Sequence, residues 1–336
     1  MADKTAVVVT SIAAPNAVLR AIADGCRTHG WDFVVIGDAK SPPDFSLDGC
    51  RYFDLAGQRQ TGFALAALAP VGHYARKNLG YLAALRAGAT LILETDDDNI
   101  PLDAFWAPRS RQVRAALADA PGWLNVYRHF SDAPVWPRGL PLDAVQDPAA
   151  PYDGLPTGVA ECPIQQDLAD DNPDVDAVYR LVLPLPVRFT TGRAVALGRA
   201  CWCPFNSQAT AWWRDAAPLL YLPAFCSFRM TDIWRSFVAQ RIAWENHWRV
   251  LFRSPTVRQE RNPHDLMRDF ADEVPGYLNN RRIAAALDAL PLTAGVGAIP
   301  DNMQHCYDAL IGLGVMPADE RPLLDAWLSD VAALAR

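Results

Sequence analysis

The first hundred residues alternate between short apolar runs and longer segments with helical spacing. The β-branched or apolar runs at 5–12, 32–38 and 90–96 predict buried strands. Residues 16–29 and 73–89 show the spacing of helices, with Asn16 as a capping residue and Gly30 as a stop for the first. Strands separated by helices of this length predict βαβ units, a parallel sheet and an α/β fold.

The remainder of the chain is less regular. Residues 131–173 are rich in Pro, Gly and Asp, which predicts a long irregular region of the kind that is often functional. A strand is expected at 194–199 and a helix at 231–245, followed by helical spacing at 276–290, 302–312 and 319–335. We therefore predict one domain over residues 1–275 and a helical C-terminal extension over residues 276–336.

Composition narrows the class of protein. The 336 residues are 51% hydrophobic and 21% charged, which suits a folded core. A net charge of −7 argues against duplex nucleic acid as a partner. The seven cysteines form no repeated CxxC pair, so neither a zinc ribbon nor a disulfide framework is indicated. Without a signal peptide or an 18-residue apolar run, we expect a soluble, cytoplasmic protein with no transmembrane segment, and peripheral membrane contact stays open.

Polar clusters follow each of the three predicted strands. Thr10 and Ser11 come after the first strand, Asp38 and Lys40 after the second, and a run of aspartates after the third. In parallel sheets, ligands bind outside the carboxyl ends of the strands. We therefore expect these clusters to surround one ligand site.

The run "LILETDDDN" contains the strongest chemical signal. Adjacent carboxylates at Asp96, Asp97 and Asp98 repel one another, and at the end of a buried strand they are costly unless something neutralises them. Mg²⁺ and Mn²⁺ take carboxylate oxygens and often share them with substrate phosphates. The alternative is a solvated turn in which one aspartate caps a helix beginning near Pro101.

Several segments resemble known families. A strand ending in D-x-D after two βαβ units resembles the GT-A glycosyltransferases. "ARKNLGYLAALRAGATLILETDDDN" (75–99) is similar to the STELLO family, and the likeness continues through "WPRGLPLD", "PDVDAVYRL", "FNSQAT", "FRMTDIWRS" and "RNPHD". It covers most of residues 5–275. A weaker resemblance links the DDD run and "PDVDA" to the reversibly glycosylated polypeptides, which are UDP-arabinopyranose mutases.

The resemblance implies a GT-A-like (Rossmann-like) domain that binds a nucleotide sugar. It implies a Mn²⁺- or Mg²⁺-dependent glycosyltransferase of polysaccharide biosynthesis, with a UDP-linked donor and a carbohydrate or glycan acceptor. The metal ligands would be Asp96 and Asp98. Nucleotide-sugar contacts are expected at Thr10, Ser11, Asp38, Arg76, Lys77, Asp96 and Asp97. Acceptor or sugar contacts are expected at Asp174, Asp176, Asn206, Gln208, Arg229 and Arg235.

The expected catalytic residue is Asp232, at the start of the predicted helix 231–245. Resemblance to inverting GT-A enzymes implies that its carboxylate takes the proton of the acceptor hydroxyl, so we expect inversion. The alternative role is a helix cap favoured by the helix dipole. His264 or Asp265 is expected to add a metal ligand, although a lone histidine is more often structural.

Two other functions compete with transfer. The resemblance to mutases suggests isomerisation of the donor, which would need no acceptor. A catalytically silent nucleotide-sugar-binding scaffold is the third possibility. The intact aspartate run and Asp232 argue against a dead site.

Overall fold

A mixed eleven-stranded sheet forms the centre of the computed structural model, which describes residues 3–260, 262 and 265–335. The order is β3-β2-β1-β4-β12-β9-β13-β10-β6-β8, with β5 paired to β13, and β7 and β11 form a separate two-stranded sheet. The strands are β1 Thr5–Thr10, β2 Asp32–Ile36, β3 Arg51–Phe53, β4 Leu91–Thr95, β5 Asn99–Pro101, β6 Gln112–Ala118, β7 Gly122–Trp123, β8 Thr157–Glu161, β9 Ile164–Asp170, β10 Ala194–Leu197, β11 Cys201–Trp202, β12 Ala209–Trp213 and β13 Val250–Gln259.

Helices flank this sheet and make up the C-terminal part. They are α1 Ala17–His29, α2 Leu55–Gln60, α3 Ala64–Leu68, α4 Lys77–Arg86, α5 Ala177–Val182, α6 Thr231–Glu245, α7 Leu266–Asp288, α8 Ile299–Gly312 and α9 Glu320–Leu334. The predicted α/β class and the helical C-terminal part are confirmed by this element order and sheet.

The N-terminal half of the sheet is parallel, as the alternation of apolar runs and helices predicts. Strands β3, β2, β1 and β4 are all parallel to their neighbours. The Asn16 side chain accepts a hydrogen bond from the Leu19 amide at 2.9 Å, and Gly30 ends α1 with a φ of 67°. The carboxyl ends of β1, β2 and β4 therefore meet at one edge of the sheet.

Helix α4 packs directly on this parallel half because Gly80 has no side chain. A Cβ at Gly80 would lie 2.6 Å from Cγ1 of Val8 and 2.9 Å from Cγ1 of Ile36, closer than real Cβ contacts come. The close approach brings Lys77, the first residue of α4, to the end of β4.

The other half of the sheet contains strands that the sequence pattern does not reveal. The prediction of an irregular region over 131–173 is wrong for β8 and β9, and β9 lies between β12 and β13. Its sequence "IQQDLAD" has no apolar alternation, and its polar side chains can be buried because they have hydrogen-bond or ion-pair partners. Gln166 accepts from the Asn206 amide at 2.9 Å, and Asp167 pairs with Arg109.

The C-terminal helices pack onto the α/β part. Asp330 of α9 accepts hydrogen bonds at 3.0 Å from the amides of Ala64 and Leu65 at the start of α3. Helix α7 begins at Leu266, so the predicted division at residue 275 falls within it, and the two-domain division stays a prediction. None of the helices in the described ranges is long and apolar enough to span a membrane.

Candidate functional site

A cavity of about 390 Å³ opens at the carboxyl ends of β1, β2 and β4. A smaller cavity of about 130 Å³ adjoins it and shares several lining residues with it, including Tyr74, Asp96 and Asp232. Six of the residues that line the larger cavity are aspartates. The walls divide into two chemically distinct groups, one at the end of β4 and one at the start of α6.

The wall at the ends of β1 and β2 contains Thr10, Ser11 and Asp38, as predicted. The Asp38 carboxylate accepts hydrogen bonds from the amides of Gly72 and His73, at 2.8 and 3.0 Å. Asp38 therefore fixes the 72–73 loop, which forms the facing wall of the pocket.

The aspartate run at the end of β4 lines the cavity with all three of its members. Asp97 accepts a hydrogen bond from the Ser11 hydroxyl, and its backbone carbonyl accepts from Nδ2 of Asn16 at 2.8 Å. Asp98 accepts from Nε2 of Gln259 at 3.2 and 3.3 Å. The run is thus held by β1, α1 and β13, and the predicted helix start near Pro101 is instead the short strand β5.

Lys77 is the buried cation beneath the run. Its side chain is 0% exposed, and its ammonium group lies 3.1 Å from Oδ1 of Asp96. The same group donates to the Thr95 carbonyl at 2.8 Å and to the Tyr74 hydroxyl at 3.1 Å. Lys77 therefore orients Asp96 from behind. Arg76 lines the pocket, but its guanidinium donates inward to Oε1 of Gln58 at 2.7 Å and to the Ala69 carbonyl at 2.8 Å.

The aspartate run carries more negative charge than its surroundings balance. Burial raises the pKa of Asp96 to about 7, with Asp98 adding to the rise and Lys77 opposing it. Burial also raises the pKa of Asp97, against the hydrogen bond from Ser11. These are the shifts expected of buried carboxylates that lie close to one another.

The second group consists of Asp174, Arg138 and Asp232, which we call the Asp–Arg–Asp cluster. Nε and NH2 of Arg138 donate to the two oxygens of Asp174, both at 2.8 Å. NH1 and NH2 donate to the two oxygens of Asp232, at 3.1 and 2.9 Å. All three residues are buried and line the pocket, so this is a doubly bidentate ion pair at its wall.

Local packing fixes Arg138 in this position. Its amide donates to the Asp174 carbonyl at 2.9 Å. The next residue, Gly139, has a φ of 89°, and a Cβ there would lie 2.4 Å from Cγ2 of Ile233 in α6. Glycine is therefore needed for the segment to approach the start of α6. The sequence analysis assigned no role to Arg138. The feature that could have indicated one is its position in "WPRGLPLD", within the irregular region that was expected to be functional.

Asp232 lies in the first turn of α6, as predicted. Burial opposes its ionisation, but Arg138 outweighs this, with Arg235 and Arg229 assisting, and holds the pKa of Asp232 below its usual range. Its Oδ2 also accepts from the amide and hydroxyl of Ser207, both at 3.3 Å. Asp232 is thus an ionised, oriented carboxylate with access to the cavity.

Comparisons with known proteins find related sequences. Residues 229–335, which include Asp232 and the C-terminal helices, match the model of the family described as STELLO glycosyltransferases. The chain therefore resembles this family over its C-terminal third. It is 28% identical to the probable glycosyltransferase STELLO2 of Arabidopsis thaliana over 335 residues, covering 91% of this chain and 42% of that protein. It is 28% identical to STELLO1 of the same plant over 69% of this chain and 33% of that protein. The chain therefore spans less than half the length of these relatives.

Solved structures also align with the chain, at low identity. A mycobacterial protein aligns with a TM-score of 0.41 and 12% identity, over 85% of this chain and 73% of the other. Glucosyl-3-phosphoglycerate synthase from Mycobacterium tuberculosis, solved with Mg²⁺ and UDP, aligns with a TM-score of 0.39 and 13% identity, over 85% and 78%.

The other predicted site residues fall into two groups. Asn206, Gln208 and Arg229 line the pocket. Arg235 and Asp176 do not. Arg235 is 1% exposed and forms a bidentate pair with Glu94 at 2.8 and 3.0 Å, beneath β4.

Asp176 is buried and caps α5. It accepts hydrogen bonds at 2.8 Å from the Tyr179 amide and from Nε1 of Trp136. Asp176 was expected to contact the acceptor or sugar, but it caps α5 and does not line the pocket.

The predicted metal ligands are partly outside what the structure describes. Asp96 and Asp98 line the pocket, whereas His264 lies outside the described residues. Asp265 caps α7 through the amides of Met267 and Arg268, at 3.0 and 3.2 Å. Within the described residues, no three His, Cys, Asp or Glu side chains are already arranged to hold a metal ion.

Proposed function

We propose that this chain is a glycosyltransferase that uses a UDP-linked sugar and a divalent metal ion to glycosylate a hydroxyl group. The observation that carries the proposal is one pocket lined by two different acidic groups. One is the buried aspartate run, and the other contains the ion-paired carboxylate of Asp232. The STELLO-like family description supports the reaction class.

The donor would occupy the side formed by β1, β2 and β4. Thr10 and Ser11 offer hydroxyl and backbone groups, while Ile12 and Ile36 supply apolar surface for a base. Asp38 would shape this side through the 72–73 loop. Such a mixture of apolar walls and few polar groups suits a nucleotide at the carboxyl ends of parallel strands.

The residues present fit a hard divalent cation. Asp96 and Asp98 would hold the ion, while Asp97 is directed to Ser11. When bound with the donor, Mn²⁺ or Mg²⁺ would neutralise charge on the leaving diphosphate. Lys77 would keep Asp96 oriented from the buried side.

Asp232 is the residue we propose as general base. Its ionised carboxylate faces the pocket and could accept the proton of an acceptor hydroxyl, giving inversion at the anomeric carbon. Because Arg138 lowers its pKa, Asp232 would be a weak base that remains ionised in acidic solution. Arg229, Asn206 and Gln208 would contact the sugars.

An assay of UDP release tests the proposal. The chain is incubated with Mn²⁺ and a panel of UDP-sugars, alone and with oligosaccharide acceptors, and the products are identified by mass spectrometry. We expect acceptor-dependent UDP release and a glycosylated product. Isomerised donor without acceptor would indicate a mutase, and UDP-sugar binding without turnover would indicate a scaffold. The cytoplasmic location and a role in polysaccharide biosynthesis stay predictions.

A further inference from the structure

The guanidinium of Arg138 is fully used by its neighbours. A guanidinium has five N–H donors. Four of them bond the oxygens of Asp174 and Asp232, and the fifth, on NH1, donates to the Arg229 carbonyl. Among the described residues, these partners leave no N–H of Arg138 for a ligand.

The carboxylates of the cluster retain capacity to accept hydrogen bonds. An ionised carboxylate has about four acceptor positions. Each oxygen of Asp174 accepts one bond from Arg138, and Oδ1 of Asp232 likewise accepts one. Both side chains are about 10% exposed and line the cavity. The cluster therefore offers a ligand acceptors and no guanidinium donors.

The net charge of the cluster also favours an uncharged ligand over an anionic one. Two carboxylates and one guanidinium leave one net negative charge on a buried surface. The neighbouring cation Arg229 is itself paired with Glu273, which is 0% exposed, at 2.9 Å. A phosphate or carboxylate placed here would meet like charge and no guanidinium N–H of Arg138, whereas hydroxyl groups would find matching acceptors.

We propose that the Asp–Arg–Asp cluster binds hydroxyl groups of an uncharged saccharide acceptor and rejects acceptors with an anionic group at this position. The inference rests on the proposed function, since it names the acceptor class of the same pocket. Arg138 is then a positioning residue that fixes both carboxylates and fills their inner faces. Asp174 and Asp232 receive adjacent hydroxyls, one of which is the attacking group at Asp232.

The cluster also implies a way to reverse its selectivity. Replacing Asp174 by alanine would release two N–H groups of Arg138, one on Nε and one on NH2. The substitution would also cancel the net negative charge. The same change that weakens binding of a neutral sugar should therefore create binding of an anionic one.

Saturation-transfer NMR on the chain loaded with UDP and Mg²⁺ provides the test. Glucose, galactose and mannose are each compared with the matching uronate and 6-phosphate. In the wild-type chain we expect binding of at least one neutral hexose, with its anionic counterparts about tenfold weaker or more. Equal binding of the anionic members, or binding of none of the sugars, would overturn the inference.

Two variants and a control make the test specific. Asp174→Ala should weaken the neutral hexose about tenfold and gain binding of its uronate, which mere loss of structure would not produce. Arg138→Gln should weaken the hexose without gaining the uronate. Arg109→Gln, which breaks the buried pair with Asp167 outside the pocket lining, should leave the selectivity unchanged. An Asp174→Ala variant that is folded by circular dichroism and still rejects the uronate would contradict the inference.

UDP binding measured on the same samples distinguishes failure of the proposed function from failure of the acceptor inference. If UDP does not bind the wild-type chain, the proposed function fails and the acceptor inference falls with it. If UDP binds while the sugars show no preference for the neutral members, the acceptor inference alone is wrong.

Discussion

The pocket contains two acidic groups that are stabilised in opposite ways. The aspartate run at the end of β4 has three carboxylates, and Lys77 is the lysine paired with one of them. The Asp–Arg–Asp cluster has two carboxylates whose four oxygens all accept from one arginine. Burial raises the pKa of Asp96 to about 7, whereas Arg138 holds that of Asp232 below its usual range. Carboxylates thus form one group whose charge an added cation could neutralise and one group in which a single arginine already pairs with every oxygen.

The largest expected effect is on catalysis at Asp232. Asp232→Asn keeps the size of the side chain and one acceptor oxygen for Arg138 but cannot take a proton. We expect the transfer rate to fall about 10²–10⁴-fold, at the lower end because the wild-type base is weak. UDP affinity measured by calorimetry should stay close to the wild-type value.

The matched control for this prediction is Asp143→Asn, which alters an exposed pair with Arg281 outside the pocket lining. It should transfer sugar at the wild-type rate. If Asp232→Asn does so too, Asp232 is not the base, and retention without a carboxylate base would become the better mechanism.

The second effect is on stability and concerns the arginine. Arg138→Gln leaves two buried carboxylates without their counter-ion, and breaking a buried pair typically costs about 3–5 kcal/mol. Urea denaturation should show a loss of this order. Arg281→Gln breaks an exposed pair and should cost about 0–1 kcal/mol. Equal, small losses of unfolding free energy in both variants would mean that Arg138 does not stabilise the two buried carboxylates.

A third effect is a shift of the pH profile. Asp232 must be ionised to act as a base, and its low pKa keeps it so in acidic solution. Without the Arg138 charge, burial should raise the pKa of Asp232. The rate of Arg138→Gln should therefore begin to fall at a higher pH than that of the wild-type chain. Superimposable acidic limbs, measured as kcat/KM against pH, would show that Arg138 does not set the ionisation of the base.

The smallest effect is expected at Phe228, which lines the pocket together with the two groups. Its ring is 54% exposed, lines the pocket and meets the rings of His73 and Tyr74 edge-on. Phe228→Ala should raise KM for a sugar substrate by about two- to tenfold, with Phe228→Trp restoring it. Val159→Ala, also exposed but not part of the pocket lining, serves as the control.

The aspartate run and the two carboxylates of the cluster were predicted from the sequence as site residues, whereas Arg138 and its pairing with both carboxylates were not. Three adjacent aspartates after an apolar run are visible in one dimension, and the alternation of strands and helices gives their place at the sheet edge. In the sequence, Asp174 lies 36 positions and Asp232 lies 94 positions after Arg138. Long-range pairing of this kind leaves no local pattern.

Burial also explains why two residues predicted to contact the sugar or acceptor do not line the pocket. Arg235 and Asp176 have the polar character of binding residues but serve a buried ion pair and a helix cap. The missed strand β9 carries glutamines and aspartates that are satisfied by partners distant in sequence. A hydrophobic pattern cannot reveal a strand whose buried groups are polar and paired.

The most direct test of the account compares the melting of the wild-type chain and Asp98→Ala with UDP and Mn²⁺. Ligand binding at about 100 times Kd should stabilise the wild-type chain by about 2.7 kcal/mol, seen as a raised melting temperature. Asp98→Ala should melt at the same or a higher temperature without ligand, because it loses a repelling carboxylate, and should show little further rise with UDP and Mn²⁺. Equal melting curves of the wild-type chain with and without millimolar UDP and Mn²⁺ would contradict the central claim that the aspartate run binds a metal and a nucleotide.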